Sequence, residues 1–597
     1  MKKPQKNTRR RIWLIALLSA FLLLLVLYLG IFLPYFNTSD PETPTPAPTP
    51  EPGEDVSGSS LLLYPHADRA EMARIEVHNR YNAAAGQYET YTILRDTEDK
   101  NGDGFTDDFY VDGHVGNVLD DEKFAYLIVD VGHTTCLTRL ARTVPDDAAG
   151  AAAVYADYGL RPEDHPTYYI LTLTDGTVYT VYIGGKTPDG NYYARVDGRA
   201  AIYVLYSSLE KSVLAPVTQF VTPTLTPEAE SDYSYAYICN FALFRDRSLI
   251  DMFFGDGTGS MPPVGNLDPY LMFTYLPSAQ RDPLHASAVY GMLAPTGNYV
   301  LNDGLATRAL SAMPSLEGTE VLKLGLSDGD FAAGGLLENT AYTISYEMPY
   351  AMTINSAGDP EVGYYMRVVL FITPVDVDGY YTVGGLSYIP GQESGVFLNM
   401  VARVAKDTLS FVESSVYDWV DSEIIGASIN DVASIAISSE WGRRHFRIDG
   451  DNLNTQTVTE TMTNYQWKRY ERDTAFAVNE QGYCDNIAQF REWYKMLILM
   501  DFEGETAADS GMTAEEIAAV MQDDSNCIAT LTLQMEDGRV FVYRFYPYSE
   551  RHCMVSVSGG GAPESTAFYT LNSVVRRLIR AAEDLMTGVE INADKRY

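Results

Sequence analysis

The residues with the most explicit chemistry run from Asp99 to Asp108, in the order Asp-Lys-Asn-Gly-Asp-Gly-Phe-Thr-Asp-Asp. Oxygens from Asp99, Asn101 and Asp103, the carbonyl of Phe105 and the carboxylate of Asp107 fall at positions one, three, five, seven and nine of a calcium loop, with Gly104 at six. A hard divalent cation takes such a ring of oxygens, and glycine permits the sharp turn. The pattern departs at position twelve, where Tyr110 replaces the bidentate glutamate, so Asp108 or a water would have to substitute. Strand-like rather than helical sequence flanks it. The expectation is a Ca2+ site of weak, extracellular-range affinity, set against an acidic, solvated hairpin tip.

Other motifs carry less. Gly185-Lys186-Thr187 ends like a phosphate loop, but Thr180 stands where the first glycine is required. Gly255–Ser260 lacks the last glycine of a dinucleotide fingerprint, and Met261-Pro262-Pro263 opposes the helix whose N-terminus would hold a phosphate. Neither a G-x-S-x-G elbow nor H-E-x-x-H occurs among these residues. His133 lies three residues from Cys136, a spacing compatible with a metal but more often plain packing. The five cysteines, Cys136, Cys239, Cys484, Cys527 and Cys553, are scattered without a C-x-x-C pair, which argues for free thiols. With 80 acidic side chains, any two could be paired as a glycosidase would pair them, so the count proves nothing. No enzymatic activity is expected.

The elements that would position these residues begin after a distinctive N-terminus. Lys2, Lys3, Lys6, Arg9, Arg10 and Arg11 form a basic tail (1–11), and 12–36 is an apolar run free of charge. About twenty apolar residues cross a bilayer as a helix, and positive charge before the run favours a cytoplasmic N-terminus. The expectation is an uncleaved single-pass anchor with the bulk of the chain outside the cell. Residues 37–68 then form a Pro/Thr-rich stalk, extended as polyproline II at about 3 Å per residue.

Beyond the stalk, 46% hydrophobic and 12% aromatic content marks folded material, and 43 tyrosines suit half-buried strands. The net charge of −37 repels phosphate backbones and excludes nucleic acid as a partner. Strands separated by Asp175-Gly176 and Asp189-Gly190 read as hairpins, because glycine takes positive φ without steric cost. A helix is expected over 121–140, where Phe124, Leu127, Ile128 and Val131 recur at helical spacing. The last helix puts Leu571, Val574, Val575, Leu578, Ile579, Ala582 and Leu585 on one face.

A strand–turn–strand unit ending in paired aromatics recurs. It runs from Tyr182-Ile183 to Tyr192-Tyr193, from Phe371-Ile372 to Tyr380-Tyr381, and more loosely from Phe545-Tyr546 to Phe568-Tyr569. Three α+β modules follow, at 72–222, 235–413 and 415–591, each an antiparallel sheet with packed helices. The fold class expected is thus α+β: a transmembrane helix followed by tandem modules.

The run from Tyr158-Gly159-Leu160 through Ile183-Gly184 to the Asp189-Gly190-Asn191-Tyr192-Tyr193 turn resembles the envelope family known as domain of unknown function 4340. The resemblance is good over 72–222, fair over 415–591 and suggestive over 235–413. It implies a membrane-anchored, extracytoplasmic protein that partners ABC-type permease or gliding-motility-type transport components, and it brings no catalytic residue. The other reading is a module binding wall polysaccharide or peptide through tyrosines such as Tyr192 and Tyr380; a hydrolase is the weakest.

Overall fold

The computed structural model describes residues 49–594 apart from 98–107, 142–143, 146, 232–233, 255–266, 282–287, 298, 391–395, 450–456, 462–466, 471–477, 480–482, 485–486, 561 and 588. The chain divides into two compact units, the first chiefly 49–97 and 121–217, the second 110–120 and 218 onward.

The first unit is built on a ten-stranded sheet. Its strands are β1 (Asp55–Ser57), β2 (Ser60–Leu62), β3 (Met72–Asn82), β4 (Gln87–Arg95), β5 (Phe109–Val111), β6 (Thr135–Arg139), β7 (Thr167–Leu173), β8 (Val178–Lys186), β9 (Tyr192–Val196) and β10 (Tyr203–Leu205). They lie in the order β1-β2-β6-β10-β9-β8-β7-β3-β4-β5. Alternation decides the faces: Ile75, Val77, Tyr169, Leu171, Val181 and Ile183 are buried, while their chain neighbours are half-exposed or exposed. Some of the abundant tyrosines are fully buried because their hydroxyls find partners inside. Tyr64 and Tyr169 meet hydroxyl to hydroxyl at 2.8 Å, and Thr134 Oγ1 lies 2.7 Å from the Tyr169 hydroxyl.

The helix expected over 121–140 stops at Gly132. Residues 135–139 instead form β6, pairing antiparallel with β2 and β10. The β-branched run Thr134-Thr135 followed by Cys136 favours the pleat, and burial of Cys136 between two strands outweighs a helical extension.

The second unit carries two large sheets and a two-stranded ribbon. The eight-stranded sheet comprises β11 (Cys239–Phe244), β12 (Leu271–Tyr275), β13 (Tyr290–Ala294), β14 (Glu320–Leu324), β15 (Tyr342–Tyr350), β18 (Tyr364–Ile372), β19 (Tyr380–Tyr388) and β20 (Val396–Ala405). The ribbon, β16 (Thr353–Ile354) with β17 (Pro360–Glu361), is inserted between β15 and β18. The third sheet is built from β21 (Val432–Ser439), β22 (Gly442–Asp449), β23 (Thr457–Thr461), β24 (Trp467–Tyr470), β25 (Val478–Asn479), β26 (Tyr483–Cys484), β27 (Gly504–Glu505), β28 (Ala529–Met535), β29 (Val540–Pro547), β30 (His552–Gly559), β31 (Ala562–Ser565) and β32 (Phe568–Leu571).

One strand order recurs in all three sheets. It reads β4-β3-β7-β8-β9-β10-β6 in the first, β12-β11-β15-β18-β19-β20-β14 in the second and β22-β21-β28-β29-β30-β32-β27 in the third. In each, a helix (Asp121–Gly132, Asp303–Ser311 or Ile487–Ile498) precedes the strand that pairs with the last strand of the meander. The closing helix Asn572–Thr587 buries Val575, Leu578, Ile579, Ala582 and Leu585, most of the face its sequence indicates, while Val574 is half-buried.

Two expectations about fold class are corrected. Antiparallel sheet dominates and the helices are subordinate, since β-branched and aromatic residues fill the long alternating stretches. Among the described residues no helix is long and apolar enough to cross a membrane, so the spanning helix is not borne out; the run 12–36 lies outside the described residues.

Candidate functional site: an acidic cleft in the second unit

A cleft of the second unit forms where the chain crosses from the second sheet to the third. Residues 300–302 run antiparallel to 419–421: Asn302 N–H donates to the Trp419 carbonyl and Asp421 N–H to the Val300 carbonyl, each at 2.8 Å. Trp419 is fully buried and anchors the crossing, its ring 6.2, 5.8 and 6.1 Å from those of Phe241, Phe273 and Phe411. Two helix starts fix neighbouring carboxylates. The Asn302 side chain accepts from Gly304 N–H at 3.1 Å and begins the helix that carries Asp303. Ser415 and Asp418 form a capping box, the Ser415 hydroxyl donating to Asp418 Oδ2 at 2.8 Å. Downstream, Ser422 Oγ donates to Asp501 Oδ1 at 3.2 Å, and Glu423 bridges to Asp501 across a short antiparallel contact.

These segments enclose two joined compartments. The outer one, about 720 Å3, has Asp303, Asp418, Asp421 and Glu423 in its wall. The inner one, about 200 Å3, is walled by Tyr290, Met292 and Tyr299 on one side and Leu533, Phe541 and Tyr543 on the other. Ala288, Val300, Asp421, Glu423 and Gly426 border both. No lysine, arginine or histidine is among the described lining residues.

The electrostatics follow from that imbalance. Partial burial, then the neighbouring carboxylates of Asp421 and Asp501, push the Glu423 carboxyl above the ordinary glutamate value. Burial, then Glu503, Asp501 and Asp418, raise the Tyr417 hydroxyl, which donates to the Phe502 carbonyl at 2.8 Å. Tyr299, pushed up to about 12 by burial, donates to Ser565 Oγ at 2.9 Å and stays a neutral wall. Among the described residues no three His, Cys, Asp or Glu side chains converge as metal ligands. The cleft therefore offers a diffuse negative potential at its mouth and an inner compartment walled largely by aromatic and aliphatic residues, with Asp421 and Glu423 at its border.

The residues singled out by sequence fall elsewhere. Asp99, Asn101, Asp103, Phe105 and Asp107 lie outside the described residues, as does the Gly255–Gly259 loop. His133 and Cys136 are not brought together as ligands: His133 Nδ1 lies 3.1 Å from His66 Nδ1, while Cys136 is buried in β6 with its thiol raised to about 11 by burial. Lys186 donates to Glu210 Oε1 at 2.6 Å, and the Tyr192 hydroxyl donates to the same oxygen at 2.7 Å. Tyr192 and Tyr381 are buried, whereas Tyr193 and Tyr380 are half-buried, so one ring of each pair packs in the core. In the third sheet the corresponding pair, Phe568-Tyr569, sits on β32, one strand further along the meander than β9 and β19.

The glycines of the recurring motif are structural. Gly185 N–H donates to the Tyr158 carbonyl at 2.8 Å, and a Cβ on Gly184 would run into that same carbonyl. The cleft itself could not be read from spacing, because its walls come from stretches far apart in the chain. The one local signal was the cluster Asp418, Asp421 and Glu423 at a module junction.

No curated protein matches the chain at a significant level. Residues 136–247, from β6 to just past β11, match the family described as domain of unknown function (DUF4340), and that is the resemblance the Gly-Leu and Tyr-Tyr motifs carry.

Proposed function

We propose that this chain is a non-catalytic, extracytoplasmic accessory protein of the cell envelope, assembled from three copies of one fold and serving as a scaffold for an ABC-type permease. The observation that carries the reading is the strand order traced three times, with one tracing falling largely within the family match. Repetition of a fold supplies several similar surfaces, which suits a scaffold more than a reactive centre. The wall-polymer alternative draws less support, since Tyr192 is buried with its hydroxyl on Glu210 and Tyr380 lies under the Arg403 guanidinium at 4.5 Å. Affinity purification of the tagged chain after crosslinking is expected to bring down permease subunits; recovery as a lone species overturns the partner. Protease added to intact cells is expected to degrade the chain, and full protection would overturn its placement.

A further inference from the structure

The two compartments of the second unit differ in chemistry, and that difference defines an occupant. The inner compartment is walled by buried side chains: Leu533, Phe541, Tyr543, Tyr290 and Tyr299 are each below 9% exposed. Its volume of about 200 Å3 suits one apolar side chain. The outer compartment is open and polar, and Asp303, Asp418, Asp421 and Glu423 are all exposed around it. No described cation lines either space to neutralise them.

We propose that this cleft binds an extended basic peptide segment, seating one aromatic or aliphatic side chain in the inner compartment while flanking lysines or arginines meet the carboxylates at the mouth. Charge complementarity selects the flanks and the apolar chamber selects the anchor, the division of labour between rim and centre found in protein–peptide recognition. A bare polyamine would satisfy only the mouth. A divalent cation finds no converging ligands among these carboxylates. The outer compartment is within the range that encloses a small ligand or a few residues of a peptide. This inference does not depend on the permease partnership proposed above.

The test uses the full-length chain and fluorescein-labelled pentapeptides at physiological salt, read by fluorescence anisotropy. Lys-Lys-Phe-Lys-Lys is expected to bind, Lys-Lys-Gly-Lys-Lys about tenfold more weakly, and Glu-Glu-Phe-Glu-Glu not at all. The double substitution Asp421→Asn, Glu423→Gln preserves shape while removing two charges, and is expected to weaken Lys-Lys-Phe-Lys-Lys about tenfold. Equal binding of the phenylalanine and glycine peptides would reduce the effect to the general acidity of the surface and overturn the proposal. Unchanged affinity in the double variant would place the peptide elsewhere. Displacement by spermidine at equal charge concentration, or no binding of any peptide, would equally sink it.

Discussion

Glu54 and Arg139 show how a strongly acidic chain spends its few cations. Glu54 has its side chain fully buried, and Arg139 Nη1 meets its Oε2 at 2.5 Å, with the Tyr203 hydroxyl on Oε1 at 2.8 Å. Burial works to raise the Glu54 carboxyl, but the Glu51 N–H, Arg139 and Tyr203 together hold it below the ordinary value. Removing one partner of such a pair leaves an uncompensated charge, so Arg139→Met is expected to cost about 3 kcal/mol in urea unfolding of the first unit. Because the folded value is depressed, the carboxylate's contribution is complete above its unfolded pKa and is lost as pH falls through the folded one. Glu423 behaves in the opposite sense. Its folded value is raised, so it takes up a proton at higher pH than an ordinary glutamate, and the mouth it shares with Asp303, Asp418 and Asp421 loses that charge. Affinity for the lysine–phenylalanine peptide should therefore decline as pH falls through the raised Glu423 value. In Glu423→Gln the same decline should start at lower pH, and an unshifted profile would show that another group controls it.

At the level of elements, legibility followed the locality of the signal. The turns at Asp175-Gly176 and Asp189-Gly190 are found with glycine φ of +87° and +86°, because the requirement for positive φ is satisfied by two adjacent residues. The last helix was equally legible, its burial pattern being internal to one stretch. The helix expected to run through 133–140 was not, since β6 owes its existence to β2 and β10, far away in sequence. The pairing Leu301 with Val420 was invisible for the same reason, and the cleft depends on it. The Gly-Leu motif was legible as a motif but not as a contact: its meaning is the close approach of 158–160 to the end of β8. Gly184→Ala should thus destabilise the first unit by about 2 kcal/mol, because the new Cβ must displace the Tyr158 carbonyl rather than a flexible side-chain tip. Gly190→Ala, by contrast, meets no atoms and is strained only through its φ of +86°. Thermal melts of the two variants should separate crowding from backbone strain, and a larger loss at Gly190 would refute that division.

For the whole molecule, three tracings of one strand order do not make three independent bodies. The second and third sheets fall in one compact unit, and the interlocking of 300–302 with 419–421, Tyr299 with Ser565 and Tyr417 with Glu505 explains why. Side chains from one sheet complete the surroundings of the other there, so neither should unfold alone. The first unit has its own buried core, centred on Tyr64, Leu127, Tyr169 and Val181. Calorimetry of the full chain should accordingly resolve two cooperative transitions rather than three or one. Arg139→Met should lower the midpoint of one and leave the other in place. Trp419→Ala, which empties the aromatic cluster with Phe241, Phe273 and Phe411 beside the crossing, should lower the other by an amount in keeping with a loss of about 3–5 kcal/mol. If both substitutions moved the same transition, or if Trp419→Ala split its transition in two with one part unmoved, the two-unit organisation would be wrong.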